Sequence, residues 1–131
     1  MSLGNGHTDL HFGAPIVPVR NVAEAIGFYE THLGFTKGFA SDDGAYGIVN
    51  NGPVCIHLQW TDDASTLAVT ASNMSMYIGT SDVDELYRKV MATKPDTQTR
   101  APFDQPYGMR EFHIKDPNGF LIFFGQDLLQ R

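Results

Sequence analysis

The order of predicted strands and helices repeats along the chain, and this repeat constrains the fold more than any other feature. Two predicted helix starts look alike, Asn21-Val-Ala-Glu and Asp82-Val-Asp-Glu, and they lie about 60 residues apart. Each begins with an N-cap residue followed three positions later by glutamate, which is the pattern of a capping box. One short strand pattern precedes each helix and three follow it, so the sequence predicts a βαβββ module that occurs twice.

The first module is predicted over about residues 13–60. Its first strand, Ile16–Val19, has prolines where a strand end tolerates them. The helix that starts after Asn21 is expected to end at Gly34, because glycine suits the left-handed residue after a helix. Asp42-Asp43-Gly44 and Asn51-Gly52 are turn signals between the remaining strands. Those strands are predicted at Thr36–Ala40, Tyr46–Asn50 and Val54–Trp60.

The second module is predicted over about residues 74–126. Its helix runs to about Ala92 and has an apolar stripe that includes Val83, Leu86 and Val90. The turn Asp116-Pro-Asn-Gly119 joins its last two strands. The four strands are predicted at Met74–Gly79, Gln98–Phe103, Met109–Lys115 and Phe120–Gln126. The mostly polar segment Thr61–Ser72 is predicted to be a linker between the modules.

The predicted fold class is therefore α+β, a single domain over residues 10–131, with residues 1–9 outside it as a disordered N-terminus or the remnant of a tag. The helix of a βαβββ module covers one face of its sheet and leaves the other face open. That open face must meet the other module, a second subunit or a ligand. We expect the two modules to form an open cleft.

Composition narrows the class of partner and the compartment. The formal net charge of −6 disfavours nucleic acid, because phosphate binding needs a basic surface. No apolar run approaches the roughly 20 residues of a membrane-spanning helix. Cys55 is the one cysteine, which excludes an intramolecular disulfide and favours the reducing cytoplasm. Met1–Gly4 has no basic segment or apolar core, so no signal peptide is expected.

Three stretches carry a family resemblance. They are Pro18-Val-Arg-Asn-Val-Ala-Glu-Ala-Ile-Gly-Phe-Tyr29 with Leu33-Gly-Phe35, Asp82-Val-Asp-Glu-Leu86, and Gln105-Pro-Tyr-Gly-Met-Arg-Glu-Phe112 leading to Asp116-Pro-Asn-Gly119. Together they resemble the vicinal-oxygen-chelate superfamily, which includes glyoxalases, bleomycin-resistance proteins and dioxygenases. The third stretch and Asp42-Asp43 are most similar to the bleomycin-resistance branch. The resemblance implies a homodimer with a shared cleft, and it leaves open whether modules pair within one chain or between chains.

The resemblance also implies where a metal would lie, because the metal enzymes of the superfamily place one ligand on each of four strands. The matching positions here are Ala14 or Pro15, His57, Met76 and Phe123. Of these, His57 alone carries a ligand suited to a divalent ion, since a thioether such as Met76 is too soft. A catalytic zinc normally takes three protein ligands. We therefore expect no metal and no cofactor.

Strand alternation predicts which side chains line the cleft. In the fourth strand it turns Cys55, His57 and Gln59 towards the cleft and Ile56 and Leu58 under the helix. In the last strand it turns Leu121 and Phe123 towards the cleft and Ile122 and Phe124 under the helix. The predicted ligand-binding residues are mainly aromatic: Phe39, Tyr46, His57, Gln59, Trp60, Met76, Phe103, Tyr107, Arg110 and Phe123. Such walls suit a flat aromatic or cationic ligand.

Several of these assignments have alternatives. Phe39, Phe103 and Phe123 fit the core as well as a cleft wall, and His57 could be a hydrogen-bonded structural histidine. In the bleomycin-resistance proteins the aromatic residue after Gln-Pro helps to hold the flat part of the bound drug, and the resemblance implies this role for Tyr107. Its position after a proline equally suits packing in a turn. One of Arg110 and Glu111 faces the cleft, or both form structural ion pairs. For His113 a structural role is favoured.

The leading functional hypothesis is metal-independent binding and sequestration of a small, partly aromatic molecule, as in the bleomycin-resistance proteins. Sequestration needs no chemistry, because tight binding alone lowers the free concentration of a toxin. One alternative is a lyase or dioxygenase of the glyoxalase type with displaced metal ligands. Another is a structural or regulatory module whose cleft takes a protein partner. No catalytic residue is assigned, since no acid–base pair at a persuasive spacing is visible.

Overall fold

The computed structural model describes residues 9–129, in which two βαβββ modules are joined by a helix. The first module consists of β1 (Ile16–Val19), α1 (Val22–His32), β2 (Thr36–Ala40), β3 (Tyr46–Asn51) and β4 (Val54–Trp60). The connecting helix is α2 (Ala64–Asn73). The second module consists of β5 (Ser75–Gly79), α3 (Val83–Ala92), β6 (Thr99–Asp104), β7 (Met109–Lys115) and β8 (Leu121–Asp127).

The two modules have the same sheet topology, which confirms the repeat seen in the sequence. The strand order is β1-β4-β3-β2 in one sheet and β5-β8-β7-β6 in the other. In each sheet the first and last strands of the module pair in parallel, and the other neighbours are antiparallel. The first strand of each module is therefore an edge strand beside the last.

The predicted caps explain where the helices begin and end. Asn21 Oδ1 accepts a 2.9 Å hydrogen bond from the Glu24 backbone N–H. Asp82 Oδ1 accepts the equivalent bond from Glu85 at 3.1 Å. Gly34, with φ +72°, ends α1 in the left-handed conformation expected of it. Local sequence signals thus account for the start of both module helices and for the end of α1.

The core lies between the helices and one face of each sheet. Ile56 and Leu58 of β4, and Ile122 and Phe124 of β8, are buried there as strand alternation predicts. Gly47 in β3 allows α1 to approach the sheet closely, because a Cβ atom at this position would lie 2.8 Å from Val22 Cγ1. The opposite face of each sheet is left open.

The turn Asp116-Pro-Asn-Gly119 joins the two modules as well as the last two strands. Asp116 Oδ1 accepts backbone hydrogen bonds from Asn118 at 2.8 Å and Phe120 at 3.0 Å, which hold the turn. Asn118 Oδ1 accepts one from the backbone N–H of Arg20 in the first module at 3.0 Å. Burial raises the pKa of Asp116, and the hydrogen bonds that it accepts only partly offset this effect. The turn is therefore a structural junction between modules.

The prediction of a linker over Thr61–Ser72 is wrong, because most of that segment forms α2. Asp63 caps the helix by accepting hydrogen bonds from the Thr66 backbone N–H at 3.0 Å and the Ser65 hydroxyl at 2.9 Å. Thr70 is fully buried, and its hydroxyl is 3.4 Å from the carbonyl oxygen of Pro18 in β1. The small and polar residues of this helix are typical of a linker, and the contact of Thr70 with β1 is not visible in the sequence.

The prediction that residues 1–9 are a disordered terminus or the remnant of a tag falls almost entirely on residues outside the described range, which begins at Asp9. Within residues 9–129 no helix is both long and apolar enough to cross a membrane.

Candidate functional site

Each sheet has a face turned away from its helix, and the predicted ligand-binding residues divide between these two faces. We call them the first open face, formed by Tyr46, Ile48, His57 and Gln59 with Phe39 at its edge, and the second open face, formed by Tyr77, Phe103, Glu111, His113 and Phe123. The register places these residues in rows across neighbouring strands: Ile48 pairs with His57, Phe103 with Glu111, and His113 and Tyr77 both pair with Phe123.

On the first open face, Tyr46 and His57 form a hydrogen-bonded pair. The Tyr46 hydroxyl is 2.7 Å from His57 Nδ1, and the two rings meet edge to face with centroids 5.5 Å apart. Both side chains are half-buried, and Phe39 beside them is 49% exposed. His57 is thus on the open face and hydrogen-bonded at once, so its pocket-lining and structural roles are compatible.

Aromatic rings cover the second open face. His113 lies between two phenylalanines, with its ring centroid 4.2 Å from that of Phe123 and 5.1 Å from that of Phe103. Tyr77 stacks nearly parallel to Phe123 at 6.1 Å and remains 47% exposed. Phe103 and Phe123 therefore lie on the open face and not in the core between sheet and helices.

Glu111 lies beneath these rings and is completely buried. Its carboxylate accepts hydrogen bonds from Tyr77 Oη at 3.0 Å, Gln105 Nε2 at 3.1 Å and His113 Nε2 at 3.0 Å, and a short one from Tyr107 Oη. Burial acts to raise the pKa of Glu111, but the four donors outweigh it and lower the pKa to about 2. The glutamate is therefore a buried anion that fixes two rings of the second open face, Tyr77 and His113, and the ring of Tyr107 in the adjoining turn.

The hydrogen bonds to Glu111 give a structural role to several residues of the Gln105-Pro-Tyr-Gly-Met-Arg-Glu111 segment. Gln105 and Tyr107 reach back from the turn to Glu111, and Gly108 allows the turn with φ +86°. The hydrogen bond to the carboxylate is the main cause that raises the pKa of Tyr107, whose ring is 52% exposed. Tyr107 thus has an anchored hydroxyl and an exposed ring, which is compatible with both of the roles that the sequence left open.

Arg110 is not on an open face, which corrects its place among the predicted ligand-binding residues. Alternation along β7 turns Glu111 and His113 to the open face and Arg110 to the helix side. There its guanidinium pairs with Asp104 at 2.7 Å and with Asp84 of α3 at 3.0 Å. These two carboxylates raise the pKa of Arg110 above its ordinary value. Its role is to hold β6 and α3 against β7.

Met76 and Trp60 were also predicted to line the cleft, but strand alternation turns both side chains to the helix side of their sheets. Met76 pairs with Ile122 on the helix side and packs against the core, so Tyr77 occupies the open face of β5 instead. Trp60 follows open-face Gln59 and therefore lies on the helix side, where it is 48% exposed beside the start of α1. In Ser75-Met-Tyr-Ile-Gly79 the apolar residues Met76 and Ile78 alternate with the others, and this pattern could have identified Tyr77 as the open-face residue of β5.

Glycine at position 125 makes the position of Tyr77 possible. Gly125 lies in β8 beside Gly79 and opposite Glu111. A Cβ atom at residue 125 would overlap the hydroxyl group of Tyr77. The bare backbone at this point lets the tyrosine lie across β8 and reach the Glu111 carboxylate.

The side chains at the family's metal positions do not fit a divalent ion. His57 is hydrogen-bonded to Tyr46, Met76 packs against the core, and the phenyl ring of Phe123 has no atom that can coordinate a divalent ion. Among the described residues, no three His, Cys, Asp or Glu side chains come together as a metal site would require. Burial raises the pKa of the half-buried Cys55 thiol, which disfavours a thiolate ligand or nucleophile.

Comparison with known proteins identifies relatives in sequence and in fold. A bleomycin resistance protein from Geobacillus stearothermophilus is 32% identical over 136 aligned positions, which cover 87% of this chain and 95% of that protein. The crystal structure of a bleomycin resistance determinant encoded on transposon Tn5 matches 92% of this chain and all of its own, with a TM-score of 0.76 and 24% identity.

A second solved structure has the same fold. It is a bleomycin-binding protein from bleomycin-producing Streptomyces verticillus in complex with copper(II)-bleomycin, and it matches 88% of this chain and 95% of its own, with a TM-score of 0.74 and 24% identity. The family model for the glyoxalase/bleomycin resistance protein/dioxygenase superfamily matches residues 7–124. The repeated βαβββ topology, the relatives and this match agree, and the chain belongs to that superfamily.

Proposed function

We propose that this protein binds and sequesters a small, partly aromatic molecule on its open faces, in the cytoplasm and without a metal ion. One observation carries the proposal: the rings of Tyr77, Phe103, His113 and Phe123 form a continuous wall that the protein's own core does not cover. Tyr77 is 47% exposed and the other three rings are partly exposed. A row of aromatic rings that reaches the surface favours a binding surface, because a monomer gains little by leaving them in contact with water.

The wall is also fixed before a ligand arrives. Glu111 holds Tyr77, Tyr107 and His113 through their polar atoms, so these rings lose little rotational freedom on binding. On the first open face, Tyr46 fixes His57 in the same manner. Fixed apolar walls with a few polar anchors are typical of small-molecule sites. The relatives named for bleomycin resistance or bleomycin binding support a ligand of this kind.

We further propose that the binding unit is a homodimer. Each open face is a single wall, and a cleft needs two. A second copy that sets its first open face against the second open face of its partner would enclose a ligand between His57 on one side and Phe123 on the other. Sedimentation at micromolar concentration tests this, and a monomeric mass there contradicts it.

Calorimetric titration with metal-free bleomycin and with copper(II)-bleomycin tests the function directly. We expect saturable binding of at least one form with a dissociation constant of micromolar or below. Failure of both forms and of a panel of flat aromatic compounds to bind contradicts sequestration at these faces.

Metal analysis of the ligand-free protein tests the second part of the proposal. We expect far less than one divalent ion per chain after purification without chelators. About one tightly held ion per chain would contradict metal independence, and would favour the lyase or dioxygenase alternative. The two experiments are independent, so binding and metal independence can fail separately.

A further inference from the structure

A cavity of about 200 Å³ lies at one end of the second open face. Gln98, Thr99, Arg100, His113, Lys115 and Leu121 line it. It is smaller than the roughly 300–1,000 Å³ of a site for a drug-sized ligand, so it would hold one end of a molecule whose remainder lies along the aromatic wall. The chemistry of its lining therefore indicates what that end must be.

Two positive charges border this cavity without a protein counter-ion. Neither Arg100 nor Lys115 forms an ion pair with any side chain between residues 9 and 129, although the whole chain has a net charge of −6. By contrast Arg110, on the other side of the same sheet, pairs with two carboxylates. In an acidic protein, two neighbouring unpaired cations at a cavity favour an anionic group from outside.

The fold holds Arg100 towards the aromatic wall. A β-bulge between Arg100 and Phe103 in β6 lets both residues pair with open-face residues of β7, His113 and Glu111 respectively. The Arg100 guanidinium carbon then lies 3.5 Å from the centroid of the Phe103 ring. A cation–π contact at this distance orients the planar guanidinium. Arg100 is thus placed beside the wall although its side chain is exposed.

His113, which pairs with Arg100 across the strands, adds a polar atom to the lining of the cavity. Its Nε2 donates to Glu111, whose low pKa keeps that carboxylate ionised above about pH 2. Its Nδ1 has no hydrogen-bond partner within the described part of the chain. Among the described residues, no aspartate or glutamate lines the cavity, and the Glu111 carboxylate already accepts four hydrogen bonds. The cavity is therefore positive and its floor is partly apolar.

We infer that the ligand is an aromatic carboxylate whose anionic group lies between Arg100 and Lys115 and whose ring packs on Phe103 and Phe123. This inference rests on the proposed function and specifies its ligand class. Arginine and lysine bind carboxylates through charge-assisted hydrogen bonds, which are about twice as strong as neutral ones. A ring with one carboxylate matches both the cavity and the wall, whereas a purely cationic ligand would be repelled by this end of the face.

Three ligands of nearly equal shape test the charge: 2-naphthoate, neutral 2-naphthamide and cationic 2-naphthylmethylamine. Binding is measured by calorimetry and by side-chain NMR shifts of His113. We expect the carboxylate to bind at least about tenfold more tightly than the amide, and the amine to bind most weakly. Raising the salt concentration should reduce that preference.

Two substitutions locate the effect. Arg100→Gln and Lys115→Gln should each weaken naphthoate binding by about five- to tenfold and leave naphthamide binding nearly unchanged. Lys89→Gln is the matched control, because Lys89 is an exposed cation on α3, on the opposite side of the sheet. Circular dichroism verifies that all three variants remain folded, and Arg100→Lys, which retains the charge, should recover part of the naphthoate affinity.

Equal binding of the carboxylate and the amide, or tightest binding of the amine, would overturn the inference while leaving aromatic binding intact. Binding of bleomycin without binding of any naphthalene compound would likewise overturn the inference and leave the proposed function standing. If neither the naphthalene compounds nor bleomycin binds, both the inference and the proposed function fall. A loss of naphthoate binding in Lys89→Gln equal to that in Arg100→Gln would also overturn it.

Discussion

The Tyr29 hydroxyl donates a 3.0 Å hydrogen bond to Oδ2 of Asp116, and both side chains are buried where the two modules meet. Tyr29 belongs to the helix of the first module and Asp116 to the last turn of the second. Burial is the main cause that raises the pKa of Tyr29, and the neighbouring Asp116 raises it further. The tyrosine therefore remains a hydrogen-bond donor at any physiological pH and ties one module to the other.

Tyr29→Phe should lower the free energy of unfolding by about 1–2 kcal/mol, because Oδ2 of Asp116 loses its donor inside the protein. Urea denaturation at pH 7 measures the change. Tyr87→Phe is the matched control: its ring packs on Phe112 with centroids 5.0 Å apart, and its hydroxyl has no hydrogen bond among residues 9–129. A loss of similar size in both variants would show that the ring environment, and not the bond to Asp116, is responsible.

The Glu111 site should make stability depend on acid pH. The folded protein lowers the pKa of Glu111 from 4.5 to about 2, so the unfolded chain takes up this proton first as the pH falls. The stabilisation is complete above about pH 5 and is lost towards pH 2, with a total on the order of 3 kcal/mol. Urea denaturation at several pH values should reveal this loss in the unmodified protein.

Glu111→Gln isolates the contribution of the Glu111 carboxylate to stability. Between about pH 5 and pH 2 the free energy of unfolding of this variant should fall less steeply than that of the unmodified protein. Asp116 acts in the opposite direction, because its raised pKa favours the protonated folded form, but it is present in both proteins and cancels in the comparison. Parallel pH profiles for the two proteins would refute the assignment of the acid dependence to Glu111.

His57→Ala should leave the fold intact and weaken ligand binding. The side chain lies on an open face, and its removal breaks only one hydrogen bond seen in the structure, to Tyr46, so the stability cost should be at most about 1 kcal/mol. Thermal denaturation and bleomycin titration measure the two effects. Tyr46→Phe removes the same hydrogen bond and retains both rings, and should bind more tightly than His57→Ala. Unfolding of His57→Ala would mean that His57 is a structural residue.

Substitutions in β5 should separate the open face from the core. Tyr77→Leu should weaken ligand binding by about five- to tenfold because a ring of the second open face is lost. Tyr77→Phe retains the ring but loses the hydrogen bond to Glu111, so its affinity should lie between those of Tyr77→Leu and the unmodified protein. Met76→Leu, on the other side of the strand, should leave affinity unchanged. The result contrary to our assignment is a larger loss of affinity in Met76→Leu than in Tyr77→Leu.

The element boundaries could be predicted because turn and cap residues mark them locally. Asn21, Gly34, Asp82 and the glycine turns fix where chain segments begin and end, and period-two alternation correctly assigned Ile56, Leu58, Ile122 and Phe124 to the core. Helix α2 was missed because its sequence is mostly small and polar, and because the burial of Thr70 against Pro18 depends on a contact between distant parts of the chain.

The candidate site was only partly predictable. Strand alternation correctly placed His57, Gln59 and Phe123, whereas Met76 and Trp60 were chosen against that alternation. The role of Glu111 could not be inferred, because its donors come from two strands and a turn, and Tyr77 lies 34 residues away in sequence. A hydrogen-bonding centre of this kind exists only once the strands have paired.

The glycine beneath Tyr77 limits how this protein can diversify. Any other residue at position 125 would displace the tyrosine and with it one of the four donors to Glu111. Phe103, Phe123 and the residues around Arg100 carry no such restriction. Across related lineages, or in a mutagenesis library, we therefore expect new ligand preferences to arise by exchange along the wall and the cavity, while residue 125 remains glycine wherever residue 77 remains tyrosine.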